Sequence, residues 1–293
     1  METISLQDAK AIFSLDNRAR RFSLNTLKFY ETQLTNFFVW CENQNVYRLE
    51  DLTPRIIRLF LIHLQEKNLK DHSIFCAAIA IRRFCNFCLA EGLLPESPMK
   101  KVAMPDRDKN IIPALTQDQI KKLVKATDTK RDEVLVLFLL DSLLRASECL
   151  SLNMGDIDLQ TGEIKVFLGK GRKDRTAYIG AKTTKLLLRY LLQRGPLKDS
   201  DPVWISLKTG KRLTLTGIDQ LFRRLRRKTS LQVTPHTLRR TGCLFLLRAG
   251  MSVYHLARLM GHTDISTLRH YLDLVQEDVR EAYNKFGIVD NIF

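Results

Sequence analysis

Apolar side chains recur at close to a 3.6-residue period through the first hundred residues, the mark of amphipathic helices. Residues 26–42 carry Leu27, Tyr30, Leu34, Phe37, Phe38 and Val39 on that spacing, and residues 56–64 and 74–93 repeat it. Thr53 followed by Pro54 predicts a capped start for the second of these helices. This part of the chain reads as an all-helical module. A stretch dense in proline and basic residues follows, with Pro95, Pro98, Pro105 and Pro113 among Lys100, Lys101, Arg107 and Lys109. It reads as an extended linker, which gives a first domain over 1–104, a linker over 105–113 and a second domain over 114–293. Thr116 is placed to cap a helix running to about Ala126, and a further helix is expected over 132–150. The period then changes: 156–159 and 163–168 predict a hairpin around Gly162, and a turn at 169–174 leads into a strand over 175–179. From residue 183 onward the pattern is again helical. The expected fold is mainly α with a small β-sheet.

Charge sharpens this picture. The chain of 293 residues carries a net charge of +15. Residues 1–105 hold 14 basic and 11 acidic side chains, and the remainder 33 and 21, so the excess sits in the second domain. A polyanionic partner is the natural reading, because each phosphate neutralised releases counterions. A basic protein with no nucleic-acid role stays open on charge alone. The apolar run 134–140 is cut by Asp141 and is too short to span a bilayer, and METISLQDAK has no apolar signal region. A soluble, intracellular protein is expected. Cys85 and Cys88 form a CxxC, but within one helical run and with no second pair at similar spacing. They read as core residues rather than metal ligands.

Six scattered residues carry candidate chemistry: Arg145, Lys170, His236, Arg239, His262 and Tyr271. Two arginines, a lysine and two histidines suit a phosphodiester whose negative charge grows in the transition state, and a tyrosine hydroxyl can attack phosphorus. Each residue also has a plain structural reading. Arg145, inside the apolar run VLVLFLLDSLLRASECLSL, pairs with Glu148 at i+3 either for stability alone or to hold the guanidinium toward phosphate. His236 and Arg239 follow Pro235 at the start of a helix, where backbone N–H groups favour anions. Lys170 stands between two glycines in a turn, His262 at a helix end, and Tyr271 nine residues beyond it.

In order and spacing the chain resembles the tyrosine recombinases, or phage integrase family, over nearly its whole length. TLKFYETQLTNFFVW is similar to the opening helix of that family's core-binding domain, and ALTQDQIKKLV to the start of its catalytic domain. LLRASECLSLNMGDIDL, GKGRKDR, PHTLRR and LMGHTDISTLRHY fall in the family's order. The resemblance implies a helical core-binding domain and a mixed α/β catalytic domain closing as a C-shaped clamp around DNA. It implies Tyr271 as nucleophile of a 3′-phosphotyrosyl link, and Arg145 and Arg239 on the non-bridging oxygens. Lys170 is then the acid for the leaving 5′ oxygen, His236 the proton handler near the tyrosine, and His262 a phosphate hydrogen-bond donor. Glu148 supports the site from behind. No metal, ATP or other cofactor is implied. Departures from the family's pattern are Leu143 where glycine is common, Arg240 where histidine is common, and Leu268 in place of a frequent threonine.

The resemblance further implies double-stranded recombination sites as partner and four protomers exchanging strands through a Holliday junction, with an accessory or second recombinase possible. The apolar C-terminal residues Ile288, Val289, Ile292 and Phe293 are expected to dock on a neighbouring protomer, or back on their own domain. Arg172, Lys173, Arg240 and the stretch Arg223, Arg224, Arg226, Arg227 and Lys228 are candidates for backbone contact. The expected location is the cytoplasm, on the nucleoid. Two other readings stand: an accessory DNA-binding factor that keeps the fold without chemistry, and a topoisomerase-like relaxase using the same nucleophile.

Overall fold

A computed structural model describes residues 4–106, 113–167 and 174–261. The chain divides into two compact units, Met1–Asn110 and Ile111–Phe293.

The first unit is built from helices α1 (Leu6–Ala19), α2 (Leu24–Glu42), α3 (Pro54–Glu66) and α4 (Asp71–Ala90). Ser5, Ser23 and Thr53 each accept a backbone N–H from the first turn of the helix they precede, a cap worth about 1 kcal/mol. Helix α1 lies ahead of the periodic segments read from the sequence. Its buried stripe of Leu6, Ala9, Phe13 and Asn17 is thin and partly small or polar. Helix α4 is the spine, with Ile74, Ile81, Phe84, Cys85 and Cys88 among its buried residues. Aromatic rings interlock around it: Phe13 and Phe38 both meet the Phe84 ring edge to face, at 5.7 and 5.2 Å. Helix α4 is also long and apolar enough to cross a membrane by length and composition, and its apolar length is taken up by this core. Burial pushes the Cys85 thiol up, and that of Cys88 to about 12, so both stay protonated packing groups.

The proline-rich stretch begins inside the first unit. Pro98–Lys101 forms a 3-10 turn whose Pro98 and Met99 are buried against the first unit, followed by buried Val102. The apolar residues between the prolines draw this segment into the core. Residues 107–112 of the expected linker lie outside the described residues.

The second unit opens with α5 (Gln117–Lys125), where Thr116 and Gln119 cap each other's backbone N–H groups. Helices α6 (Lys130–Ser142) and α7 (Ala146–Ser151) follow. Strands β1 (Glu163–Val166) and β2 (Arg175–Tyr178) pair antiparallel, with Val166 opposite Arg175. The expected strand at 156–159 is reduced to one bridge, Ile157 to Ile164. Helices α8 (Ala181–Leu192), α9 (Leu215–Thr229), α10 (Pro235–Arg248) and α11 (Val253–Met260) complete the unit. Its core centres on Trp204, stacked on Tyr190 at 5.7 Å and met edge-on by Phe138 at 5.2 Å. Helices α6 and α10 approach so closely that a Cβ on Gly242 would lie 2.2 Å from the Leu140 carbonyl oxygen.

The single helix expected over 132–150 is two helices. Leu143 ends α6 in the left-handed conformation (φ 54°, ψ 21°), and Arg145 is extended (φ −68°, ψ 152°) as N-cap of α7. An unbroken apolar pattern hides such a break, because a left-handed leucine gives no compositional signal. This is the position where the family commonly has glycine, which adopts positive φ without strain. Here the leucine side chain is buried among Cys243, Leu244, Leu256 and Met260. The left-handed backbone costs about 1–2 kcal/mol, whereas truncating a buried leucine costs about 2–5 kcal/mol, so packing wins. Leu143→Gly should therefore lower the unfolding free energy in urea, by about 2 kcal/mol; a rise in stability would show that backbone strain dominates.

Candidate active site

The break after Leu143 sets the geometry of the site. With Arg145 at the N-cap, Glu148 stands at the third helical position and its carboxylate reaches back to the Arg145 backbone N–H at 2.8 Å. The same carboxylate accepts from Arg145 Nη1 at 2.8 Å. The pair read from the sequence exists, but as a helix cap rather than as two positions on one continuous helix face.

Two further guanidiniums converge on Glu148. Arg175, the first residue of β2, donates Nη2 to Oε2 at 2.8 Å and Nη1 to Oε1 at 3.2 Å. Arg239, one turn into α10, brings Nη1 to 3.7 Å from Oε2 and donates Nη2 to the Met260 carbonyl at 2.9 Å. Glu148 is 8 % exposed, Arg175 and Arg239 side chains 7 % and 3 %, while that of Arg145 is 37 % exposed. Three buried or half-buried cations around one carboxylate leave a local excess of positive charge, and Arg145 faces out from it. Such a cluster is built to receive an anion.

The titration behaviour follows from this packing. Burial alone would raise the Glu148 carboxyl. The hydrogen bonds from Arg175 and from the Arg145 backbone and side chain reverse that and hold it at about 2. Glu148 therefore adds stability above the ordinary carboxylate range, and that stability is lost as pH falls toward 2. Burial, then the neighbouring Arg145, lowers Arg239 to about 10, still charged at neutral pH.

His236 is the second residue of α10, whose first turn is capped by Thr234 and preset by Pro235. Its ring is exposed at the edge of the cluster. Partial loss of hydration and then the charges of Arg239, Arg240 and Arg145 all push its pKa down, so it is a neutral proton acceptor at pH 7.

Arg145, Glu148, His236, Arg239 and Arg240 are thus brought together. Lys170, Arg172 and Lys173 fall in residues 168–173, and His262 and Tyr271 in 262–293; all five lie outside the described residues. From the sequence, Arg175 marks only the start of a strand. Its signal was present as the last residue of GKGRKDR.

The α9 basic stretch narrows. Arg224 pairs with fully buried Asp132 at 3.1 Å and with Asp128 at 3.7 Å. Arg226 donates to the Val233 carbonyl at 2.9 Å, and Lys228 bonds Asp128 and the Ala126 carbonyl. A buried carboxylate such as Asp132 demands cationic partners, and Arg224 is one of them. Arg223 and Arg227, one turn apart, are exposed, as is Lys228.

Residues 113–277 match the phage integrase family, and residues 17–92 match the phage integrase N-terminal SAM-like domain. The chain belongs to the phage integrase family. It is a tyrosine recombinase, a DNA-binding enzyme of site-specific recombination. It is similar to tyrosine recombinase XerC of Oceanobacillus iheyensis, 30 % identical over 273 residues covering 89 % of each chain. It is 29 % identical to tyrosine recombinase XerA of Pyrococcus horikoshii over 92 % of this chain and 90 % of that one. Among solved structures, that of XerA recombinase aligns over 96 % of this chain and 98 % of that one at 26 % identity and a TM-score of 0.54. The Tn1549 transposon integrase in complex with transposon right end DNA shares the fold, with a TM-score of 0.76 over 92 % and 94 % of the two chains at 18 % identity.

In the recombinase, the His236 ring proton signals should titrate with a midpoint below about 6.5, the ordinary histidine value. A ¹H–¹³C NMR titration reads this directly, and a midpoint above that value would contradict the cationic environment.

Proposed function

We propose that this recombinase cleaves DNA by attack of the Tyr271 hydroxyl on a backbone phosphorus. The new bond is a 3′-phosphotyrosyl ester, and the bond that breaks is phosphorus to the 5′ oxygen. Rejoining runs the step backward with another strand's 5′ hydroxyl. The covalent link retains the phosphodiester energy, so no nucleotide is consumed.

Arg145 and Arg239 hold the non-bridging oxygens, where a planar guanidinium presents two parallel donors. His236, neutral at pH 7, accepts the tyrosine proton. Lys170 gives a proton to the leaving 5′ oxygen, and His262 donates to the phosphate. Glu148 fixes the arginine cluster. Catalysis then rests on positioning and charge, as phosphoryl transfer does generally. The observation that carries the reading is the convergence of Arg145 and Arg239, from distant parts of the chain, on one buried carboxylate with His236 beside them.

The same reading makes the working assembly four protomers on two double-stranded sites, passing through a Holliday junction, with Arg172, Lys173, Arg223, Arg227 and Arg240 against the backbone. Apolar Ile288, Val289, Ile292 and Phe293 support docking of the tail on a neighbouring protomer. An apolar groove of about 730 Å³, lined by Pro113, Leu115, Leu244 and Phe245 with Arg248 at its edge, is a surface of matching chemistry in the second unit.

The test is a nicked cognate site that traps the covalent step. Wild type should give a protein–DNA adduct resistant to denaturant, and Tyr271→Phe should bind equally yet give none. Adduct formation by the phenylalanine variant would overturn the assignment of Tyr271.

A further inference from the structure

Resting on this reading, we propose that Arg175 is a positioning residue of the recombinase. Its one guanidinium ties the start of β2, the Glu148 carboxylate and the end of α11 into a single unit.

The geometry is specific. Arg175 opens β2 opposite Val166, at the base of the connection that contains Lys170. Its Nη atoms fork the two oxygens of Glu148, at 3.2 and 2.8 Å. Its Nε donates to the Leu259 carbonyl at 2.9 Å. Arg239 takes the adjacent Met260 carbonyl and also approaches Glu148. The last carbonyls of a helix lack partners inside it, and a cation is favoured there. The end of α11 is therefore held to one carboxylate by two arginines in parallel.

Gly261 follows, in the left-handed conformation at φ 66°, and a Cβ there would lie 2.9 Å from Arg175 Cδ. Arg175 thus fills the space beside the residue that precedes His262, and its side chain is 7 % exposed. It has no face to offer DNA. A buried ion pair is weak evidence of a stabilising role, since apolar residues of similar volume often serve as well. What an apolar residue cannot do is bond its own strand to two other elements in fixed directions. Lysine cannot do so either, lacking the planar fork.

The test compares Arg175→Lys and Arg175→Met with wild type on the nicked site, measuring DNA affinity and single-turnover adduct formation separately. Both variants should bind within about threefold of wild type. Both should form adduct about 100-fold more slowly, the scale expected when a reacting group is misplaced by about an ångström. Wild-type cleavage by Arg175→Met, or affinity falling in step with cleavage, would each overturn the proposal. Hydrogen–deuterium exchange reads the tie without cleavage: Arg175→Met should speed exchange across residues 253–261 and leave the first unit unchanged. Unchanged exchange there would overturn it even if wild type formed no adduct, a result that would instead count against Tyr271 as the nucleophile.

Discussion

A single buried carboxylate, Glu148, organises the second unit of this recombinase. Three guanidiniums reach it from a helix cap, a strand and a second helix. Without it they would repel one another in a low-dielectric site, where like charges are expensive. With it they form one ionic body that still carries excess positive charge. Removing one partner of such a buried set typically costs about 3–5 kcal/mol, because the charges left behind are uncompensated. The site is in this sense self-consistent: the arrangement that makes the cluster stable also makes it receptive to a phosphate.

The fold exists around that constraint. Arg145 can face outward only because α6 stops at Leu143 and the chain turns through a left-handed residue before α7. Arg239 is held at depth by α10, which reaches α6 closely because Gly242 has no side chain to meet the Leu140 carbonyl. Helix α11 packs on α10 through Cys243, Leu244, Leu256 and Met260, bringing its last carbonyls to two of the arginines. The second charge cluster, Asp132 with Arg131 and Arg224, belongs to the same unit and ties α6 to α9.

Much of this was legible in the residues. The period of Leu34, Phe37 and Phe38, the caps at Thr53 and Thr116, and Pro235 before His236 each mark a local preference that the tertiary structure keeps. The Arg145–Glu148 pair was visible because three-residue spacing has few other uses in an apolar run. Other features were not legible, for physical reasons. A left-handed Leu143 looks like any core leucine. Helix α1 carries too few large apolar residues for its period to stand out. The burial of Pro98 and Met99 depends on contacts distant in sequence. Arg175 lay within a recognisable string, but only three-dimensional proximity shows that it shares a carboxylate with Arg145 and Arg239. A run of basic residues likewise cannot reveal which members, such as Arg224, Arg226 and Lys228, also have acidic or carbonyl partners within the fold.

The most direct measurement is single-turnover adduct formation by Glu148→Gln at saturating DNA, set beside its affinity for the same site. Glutamine keeps the shape and removes the charge that holds three arginines in place. Cleavage should slow by about 100-fold with DNA affinity undiminished, because the site becomes more positive. Cleavage at the wild-type rate would contradict it, and would show that the arginines keep their geometry without the carboxylate.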